Sequence, residues 1–207
     1  NDAELKRLGR KHTANDARDT IELLRKAGYE NVGFDLIAGL PRQTVADWQR
    51  NLKEALDLQP EHLSLYLLEI VPGTPLAEQI RTGRQSLPYE MMIEKVSADG
   101  YRQYEISNYA LPNYESKHNS KYWTLAPVFG FGCSAHSIDA ENIRYSNERD
   151  TAQYVALIEQ GNSAIVHREK IDAASEFVFL GLRLAQGIDL NDYQKRFGAD
   201  LIESHRE

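Results

Sequence analysis

The strongest constraint on this chain is the order of its apolar patterns. Over the first 70 residues a helix-spaced pattern, a short apolar run, a second helical pattern and a second run follow one another with short links. Thr13 with Asp16 reads as a capping-box-like helix start, with Asp in place of the usual Glu. Ala17, Ile21 and Leu24 then recur at helical spacing, and Gly28 sits where a C′ glycine belongs. Residues 31–39 (NVGFDLIAG) follow as a strand. A second helix begins near Thr44, carries Trp48, Leu52 and Ala55/Leu56 on one face, and stops before Pro60. Residues 62–70 (HLSLYLLEI) form the next strand. This α-β-α-β order predicts a parallel sheet with helical crossovers.

Strand parity gives the faces. Val32, Phe34 and Leu36 point one way, and Gly33, Asp35 and Ile37 the other. With the apolar set under the helices, Asp35 points into the interior of a barrel or sheet. Bare burial of a carboxylate is costly, so Asp35 is expected to have a partner or a ligand. Leu63, Leu65 and Leu67 form the corresponding helix-facing set in the second strand.

After residue 71 the rhythm breaks at Pro72-Gly73-Thr74-Pro75. A short helix is expected at about 89–98 and a strand at 101–107 (YRQYEIS). Residues 108–137 read as a long aperiodic segment rich in aromatics, His and Gly, of the kind that folds over something. Helices are expected at about 150–160 and 172–186. A last one starts at 187–207 with an Asp189 cap and Leu190, Tyr193 and Phe197 on its face.

Composition removes several classes. Cys133 is the sole cysteine, which excludes an internal disulfide framework and suits a reducing cytoplasm. It also excludes a cysteine-held zinc or iron–sulfur site built from these residues alone. The formal charge of −7 argues against a nucleic-acid surface. No apolar run approaches the roughly 20 residues of a membrane span, and Asn1 opens nothing like a signal peptide, so membrane contact is expected to be peripheral at most.

At NVGFDLIAGLPRQT (31–44) and PEHLSLYLLEIVPGTPL (60–76) the chain resembles the oxygen-independent coproporphyrinogen III oxidase-like family of radical S-adenosylmethionine (SAM) proteins. YEISNYALP (104–112), KHNSKYW (117–123) and GFGCSAHS (130–137) are similar to its haem-chaperone branch. The most specific element is His118-Asn119-x-x-Tyr122-Trp123. The resemblance implies an α/β fold: the C-terminal part of a partial (β/α)₆ barrel, followed by a smaller, mainly helical α+β domain. It implies the second half of the barrel at 1–87, the last barrel elements and the haem-motif segment at 88–149, and the truncated start of the helical domain at 150–207. It further implies a [4Fe–4S] cluster whose cysteine ligands lie upstream of Asn1, so that SAM cleavage is expected only of a longer protein. The join at Leu87-Pro88-Tyr89 is tight for the family.

For the sites, the resemblance places Asp35 and Ile37 at SAM, Arg10 at the SAM carboxylate, and Glu69 where the chain runs past the adenosine. A guanidinium suits the carboxylate because its planar fork pairs it bidentately. The bland readings are a carboxylate satisfied by an arginine or backbone amides for Asp35, and a surface arginine among Lys6, Arg7 and Lys11 for Arg10. His118 is expected as the axial ligand of haem iron, with Asn119, Tyr122 and Trp123 contributing to the haem site. Tyr104, Tyr109 and Tyr114 would add to the aromatic wall, and Lys117 and Lys121 would meet the propionates. The alternatives are a histidine bonded to a nearby carbonyl, or Cys133 as the ligand. The function implied is a cytoplasmic haem chaperone that passes haem to acceptor proteins, with a homodimer among the expectations. The alternative is an oxygen-independent coproporphyrinogen III oxidase.

Overall fold

The computed structural model describes residues 1–71, 77, 95–204 and 206. They fall into two compact units, Asn1–Glu115 and Ser116–Glu207.

In the first unit, α1 (Asp2–Arg7) and α2 (Ala14–Lys26) precede β1 (Gly33–Ala38), and α3 (Val45–Leu56) carries the chain over to β2 (His62–Leu67). Both long helices begin on complete capping boxes, Thr13 with Asp16 and Thr44 with Asp47. In each, the threonine side chain accepts the N3 amide and the aspartate accepts the N-cap amide. β1 and β2 pair in parallel, with Asp35 beside Ser64 and Ile37 beside Tyr66.

Phe34 and Leu36 pack against a buried cluster of Ala38, Trp48, Leu52, Leu63, Leu65, Val96, Tyr101 and Tyr109. The helix-facing parity is therefore as expected, with one exception. Leu67 is 49% exposed. β2 ends there, and the next residue, Leu68, turns in instead and donates its amide to the Ala38 carbonyl at 2.8 Å.

The sheet is not parallel throughout. Its order is β1-β2-β4-β3, with β3 (Arg102–Gln103) and β4 (Asn108–Ala110) forming an antiparallel hairpin added to β2. The strand expected at 101–107 is broken because Glu105 turns inward. Its carboxylate accepts the Ser107 amide at 3.3 Å and the Asn108 side-chain amide, which makes a turn where an extended run was predicted. Residues 95–98 are helical, as the end of the expected 89–98 helix. The rest of that helix, and the Leu87-Pro88-Tyr89 join, lie outside the described residues.

The second unit opens with α4 (Lys117–Trp123), capped by Ser116. The segment read as aperiodic thus contains a helix as well as β4 and β5. A three-stranded antiparallel sheet follows, β5 (His136–Ile138), β6 (Ile143–Asn147) and β7 (Ile165–Lys170), with α5 (Thr151–Glu159) between the last two. The sequence reading did not anticipate these strands. Residue 149, expected as a domain boundary, lies between β6 and β7, which pair with each other.

α6 (Ala173–Gly181) is shorter than the expected 172–186. The chain turns back through Gly187 (φ 73°) and lays Ile188 against Gly181, where a Cβ would come within 2.9 Å of Ile188 Cγ1. α7 (Leu190–Phe197) is capped by Asp189 and leads to α8 (Leu201–Ser204). Phe177, Tyr193 and Phe197 stack edge-on and tilted at 4.9–6.0 Å between centroids.

Leu52 is 1% exposed and anchors α3 to the sheet. Leu52→Ala is expected to cost about 2–5 kcal/mol, and Thr44→Ala about 1 kcal/mol through loss of the cap. Denaturant unfolding followed by tryptophan fluorescence measures both.

Candidate functional site

In the first unit a cavity of about 650 Å³ runs beside β1, which is an edge strand. Arg10, Asp35 and Ile37 all line it. Parity put Asp35 opposite the core, and it is there, but it is exposed rather than buried. Its carboxylate makes no side-chain hydrogen bond or ion pair among the described residues. Among the described residues, the satisfied-carboxylate alternative finds no arginine or amide partner for Asp35. Arg10 is likewise exposed and without an acidic partner among the described residues. The neighbouring Arg18 is spent on Glu54 at 2.6 Å. Glu69 lies past the end of β2, exposed, and is not in the cavity wall. An unpaired guanidinium and an unpaired carboxylate facing one cavity form a donor set for a ligand with both an anionic end and hydrogen-bond donors.

The cavity wall also holds a group that sequence reasoning missed. Glu4, 8% exposed, accepts Gln43 Nε2 at 3.0 Å and Asn51 Nδ2 at 2.7 Å. Gln43 Oε1 in turn accepts the amides of Gly39 and Leu40 at 2.9 and 3.4 Å. An acid in the first turn of a short helix reads from sequence as a solvated, dipole-favoured residue, so nothing marked it.

On the same face of the sheet as Asp35, His62 Nε2 lies 2.7 Å from the Tyr104 hydroxyl, with the rings tilted at 5.7 Å. Burial pushes the His62 pKa below its ordinary value, outweighing the opposite pull of Asp35 and Glu105.

In the second unit, α4 carries the His118 motif. Ser116 caps it by accepting the Asn119 amide at 3.2 Å. His118 and Tyr122, four residues apart, share a face. Their rings meet edge-on at 5.1 Å, and Nε2 lies 3.1 Å from the phenol oxygen. Both side chains are exposed, so the histidine is not turned inward onto a carbonyl. Trp123 is half-buried beneath the Arg183 guanidinium at 4.6 Å, and its indole N–H has no acceptor among the described residues. Lys117 and Lys121 are exposed.

The wider aromatic wall needs correction. Tyr109 is 0% exposed in the core of the first unit, and Tyr104 is engaged by His62. Cys133 Sγ donates to the Arg149 carbonyl at 3.0 Å. Among the described residues no three His, Cys, Asp or Glu side chains gather as a metal site, and no helix is long and apolar enough to cross a membrane.

Comparison with known proteins bears on both units. The family model of the HemN C-terminal domain matches residues 169–207. The chain is 35% identical to the heme chaperone HemW of Bacillus subtilis (strain 168), over 95% of this chain and 55% of that protein. It is 31% identical to the mitochondrial radical S-adenosyl methionine domain-containing protein 1 of Mus musculus, over 94% and 48%. It thus spans about half the length of the curated relatives it matches. Among solved structures, coproporphyrinogen III oxidase (HemN) from Escherichia coli, described as a radical SAM enzyme, aligns with a TM-score of 0.77. That alignment covers 99% of this chain and 52% of the other at 20% identity. It shows that this chain has the α/β fold of part of that protein.

The His62 environment sets a pH dependence. The fold favours the neutral ring, so the unfolded chain binds the proton more tightly. The stability His62 contributes is therefore full above about pH 6.5 and falls as the pH drops from there through the folded-state midpoint. NMR titration is expected to place the His62 midpoint below 6.5, and His62→Gln to flatten that part of the stability–pH curve.

Proposed function

We propose that this chain, which belongs to the oxygen-independent coproporphyrinogen III oxidase-like radical SAM family on its haem-chaperone branch, works in binding haem and passing it to acceptor proteins in the cytoplasm. The observation that carries this reading is His118, held out on α4 beside Tyr122 within an intact His-Asn-x-x-Tyr-Trp sequence. A neutral imidazole is a common axial ligand of haem iron. Among the described residues, only an exposed hydrogen bond to Tyr122 competes for Nε2, and such a bond contributes about 1 kcal/mol or less. Tyr122 supplies a flat, partly exposed ring next to the ligand. Asn119 and Trp123 complete the motif, with Lys117 and Lys121 as cations for the propionates.

For SAM, the residues that fit are Arg10 and Asp35, with Ile37 as apolar lining. The cavity they share presents one unpaired fork and one unpaired carboxylate. Arg10 would take the carboxylate of SAM, and Asp35 would accept from its hydroxyl or amine groups. Glu69 would contribute through its backbone, since it is not part of the cavity wall. Bound SAM supplies a sulfonium whose reductive cleavage yields a carbon radical, and that cleavage requires an iron–sulfur cluster. The single cysteine of residues 1–207 cannot hold one, because such a cluster takes three or four thiolates.

The likeness in fold to the oxidase supports a second reading, a radical enzyme acting on coproporphyrinogen III. Haem titration of the complete protein separates the two. His118→Ala is expected to lose the shifted Soret band and to weaken haem binding by at least the roughly tenfold that an outer-shell partner is worth at a metal site. An unchanged spectrum and affinity would overturn ligation by His118. Conversion of coproporphyrinogen III under anaerobic, reducing conditions would move the function to the oxidase reading.

A further inference from the structure

The buried carboxylate of Glu4 has no cation among its partners in the described residues. It is instead the end of a relay of amides. Asn51 on α3 donates to one oxygen and Gln43 donates to the other. Gln43 then uses its own carbonyl oxygen to hold the amides of Gly39 and Leu40. Those two residues form the turn at the carboxyl end of β1. Gly39 adopts φ 75° there, a left-handed conformation that favours glycine.

A second tie runs in parallel, since Arg7 on α1 donates to the Pro41 carbonyl in the same loop. One helix turn of α1 therefore clasps the loop that follows Asp35 and Ile37. Arg10 sits three residues beyond Arg7 and lines the cavity. Ligands of parallel sheets bind at the carboxyl ends of the strands, where this loop lies. Hydrogen bonds to an ionised acceptor are roughly twice as strong as neutral ones, and the desolvation cost of a bare carboxylate is avoided only while both amides stay in place. The clasp thus has one satisfied arrangement, and Arg10 is tied to the same helix, its amide donating to the Leu5 carbonyl at 2.9 Å.

We propose that Glu4 is a positioning residue for the cavity. Through Gln43 and Asn51 it holds Arg10 and Asp35 at the spacing a SAM-type ligand needs, without touching that ligand. This rests on the reading of the cavity as a SAM site.

Glu4→Gln keeps the shape but faces an N–H donor with an N–H₂, so one of the two bonds is lost. Combining E4Q with N51D restores the donor–acceptor pattern, because the new amide at position 4 can donate to the new carboxylate at position 51. The measurement is SAM affinity by equilibrium dialysis of the full-length, cluster-reconstituted protein, with haem affinity and thermal unfolding recorded on the same samples. E4Q is expected to weaken SAM binding by about tenfold, the loss that follows one charge-assisted hydrogen bond in a buried network. The E4Q/N51D pair is expected to recover most of it, while haem affinity stays at the wild-type value in both.

If E4Q does not fold, Gln43→Leu cuts the relay while leaving the Glu4–Asn51 bond, and carries the same expectation. The controls are R10A and D35N, both expected to weaken SAM binding. Wild-type SAM affinity in E4Q alongside weakened binding in the controls overturns the role of Glu4 and leaves the cavity reading standing. Wild-type affinity in both controls overturns the cavity reading and this inference with it. A parallel fall of SAM and haem affinity in E4Q, unrelieved by N51D, assigns Glu4 to general stability and overturns the proposal.

Discussion

The packing of α3 onto one face of β1 and β2 is the interaction on which the rest of the first unit depends. Trp48 and Leu52, both 1% exposed, meet Leu63 and Leu65 at 0 and 1%, with Phe34 and Leu36 closing the edge. Side chains of a strand alternate, so burying that face forces Asp35 and Ile37 to the other. A register slip of one residue would put Phe34 and Leu36 outside and the carboxylate into the core, at the cost of the apolar burial and of an unpaired charge. The chemistry available at Asp35 is thus a consequence of where the leucines and the tryptophan go.

The same packing explains why the carboxylate remains unspent. Its neighbours across the sheet are Ser64 and, one strand further, Asn108, and neither is a cation. On the same face, His62 has its pKa lowered by burial and is bonded to Tyr104. Arginines in the unit are mostly committed elsewhere: Arg18 to Glu54, Arg25 to Glu61 at 2.8 Å, and Arg7 to the Pro41 carbonyl. Among the described arginines that line the cavity, Arg10 alone keeps its fork open. Among the described residues that line the cavity, Asp35 and Arg10 thus keep bonding capacity to offer.

What could be read from the sequence follows a physical divide. The capping boxes at Thr13 and Thr44 and the parity of β1 rest on interactions between residues two to four apart, so local pattern contains them. Leu67 and Glu105 fail that rule. Their placement depends on where a strand stops and on what the next strand does, which is set by the β3–β4 hairpin. The strands β5, β6 and β7 were invisible for another reason. All six residues of β7 are exposed, and none of the five in β6 is fully buried, so no two-residue apolar period is written into them. Their turn is instead fixed by Asp139, whose carboxylate accepts the amides of Glu141 and Ile143 at 2.9 Å each. Glu4 was hidden because its partners, Gln43 and Asn51, are 39 and 47 residues away.

The two sites therefore differ in kind. The cavity beside β1 is assembled from distant parts of the chain and needs α1, β1 and α3 in place before Arg10 and Asp35 face one volume. The His118 motif is local: a seven-residue helix with its own cap, whose i, i+4 spacing alone brings the imidazole and the Tyr122 phenol together. A short helix of this length is marginal on its own, and its anchor is Trp123, covered by Arg183 and followed at Thr124 by a bond from Arg196 at 3.3 Å. The motif's last aromatic thus holds the helix to the unit, while its histidine and tyrosine remain outside. That division of labour within seven residues fits the proposed haem reading, in which an imidazole that took up and gave up iron would be better placed at the surface than in a core.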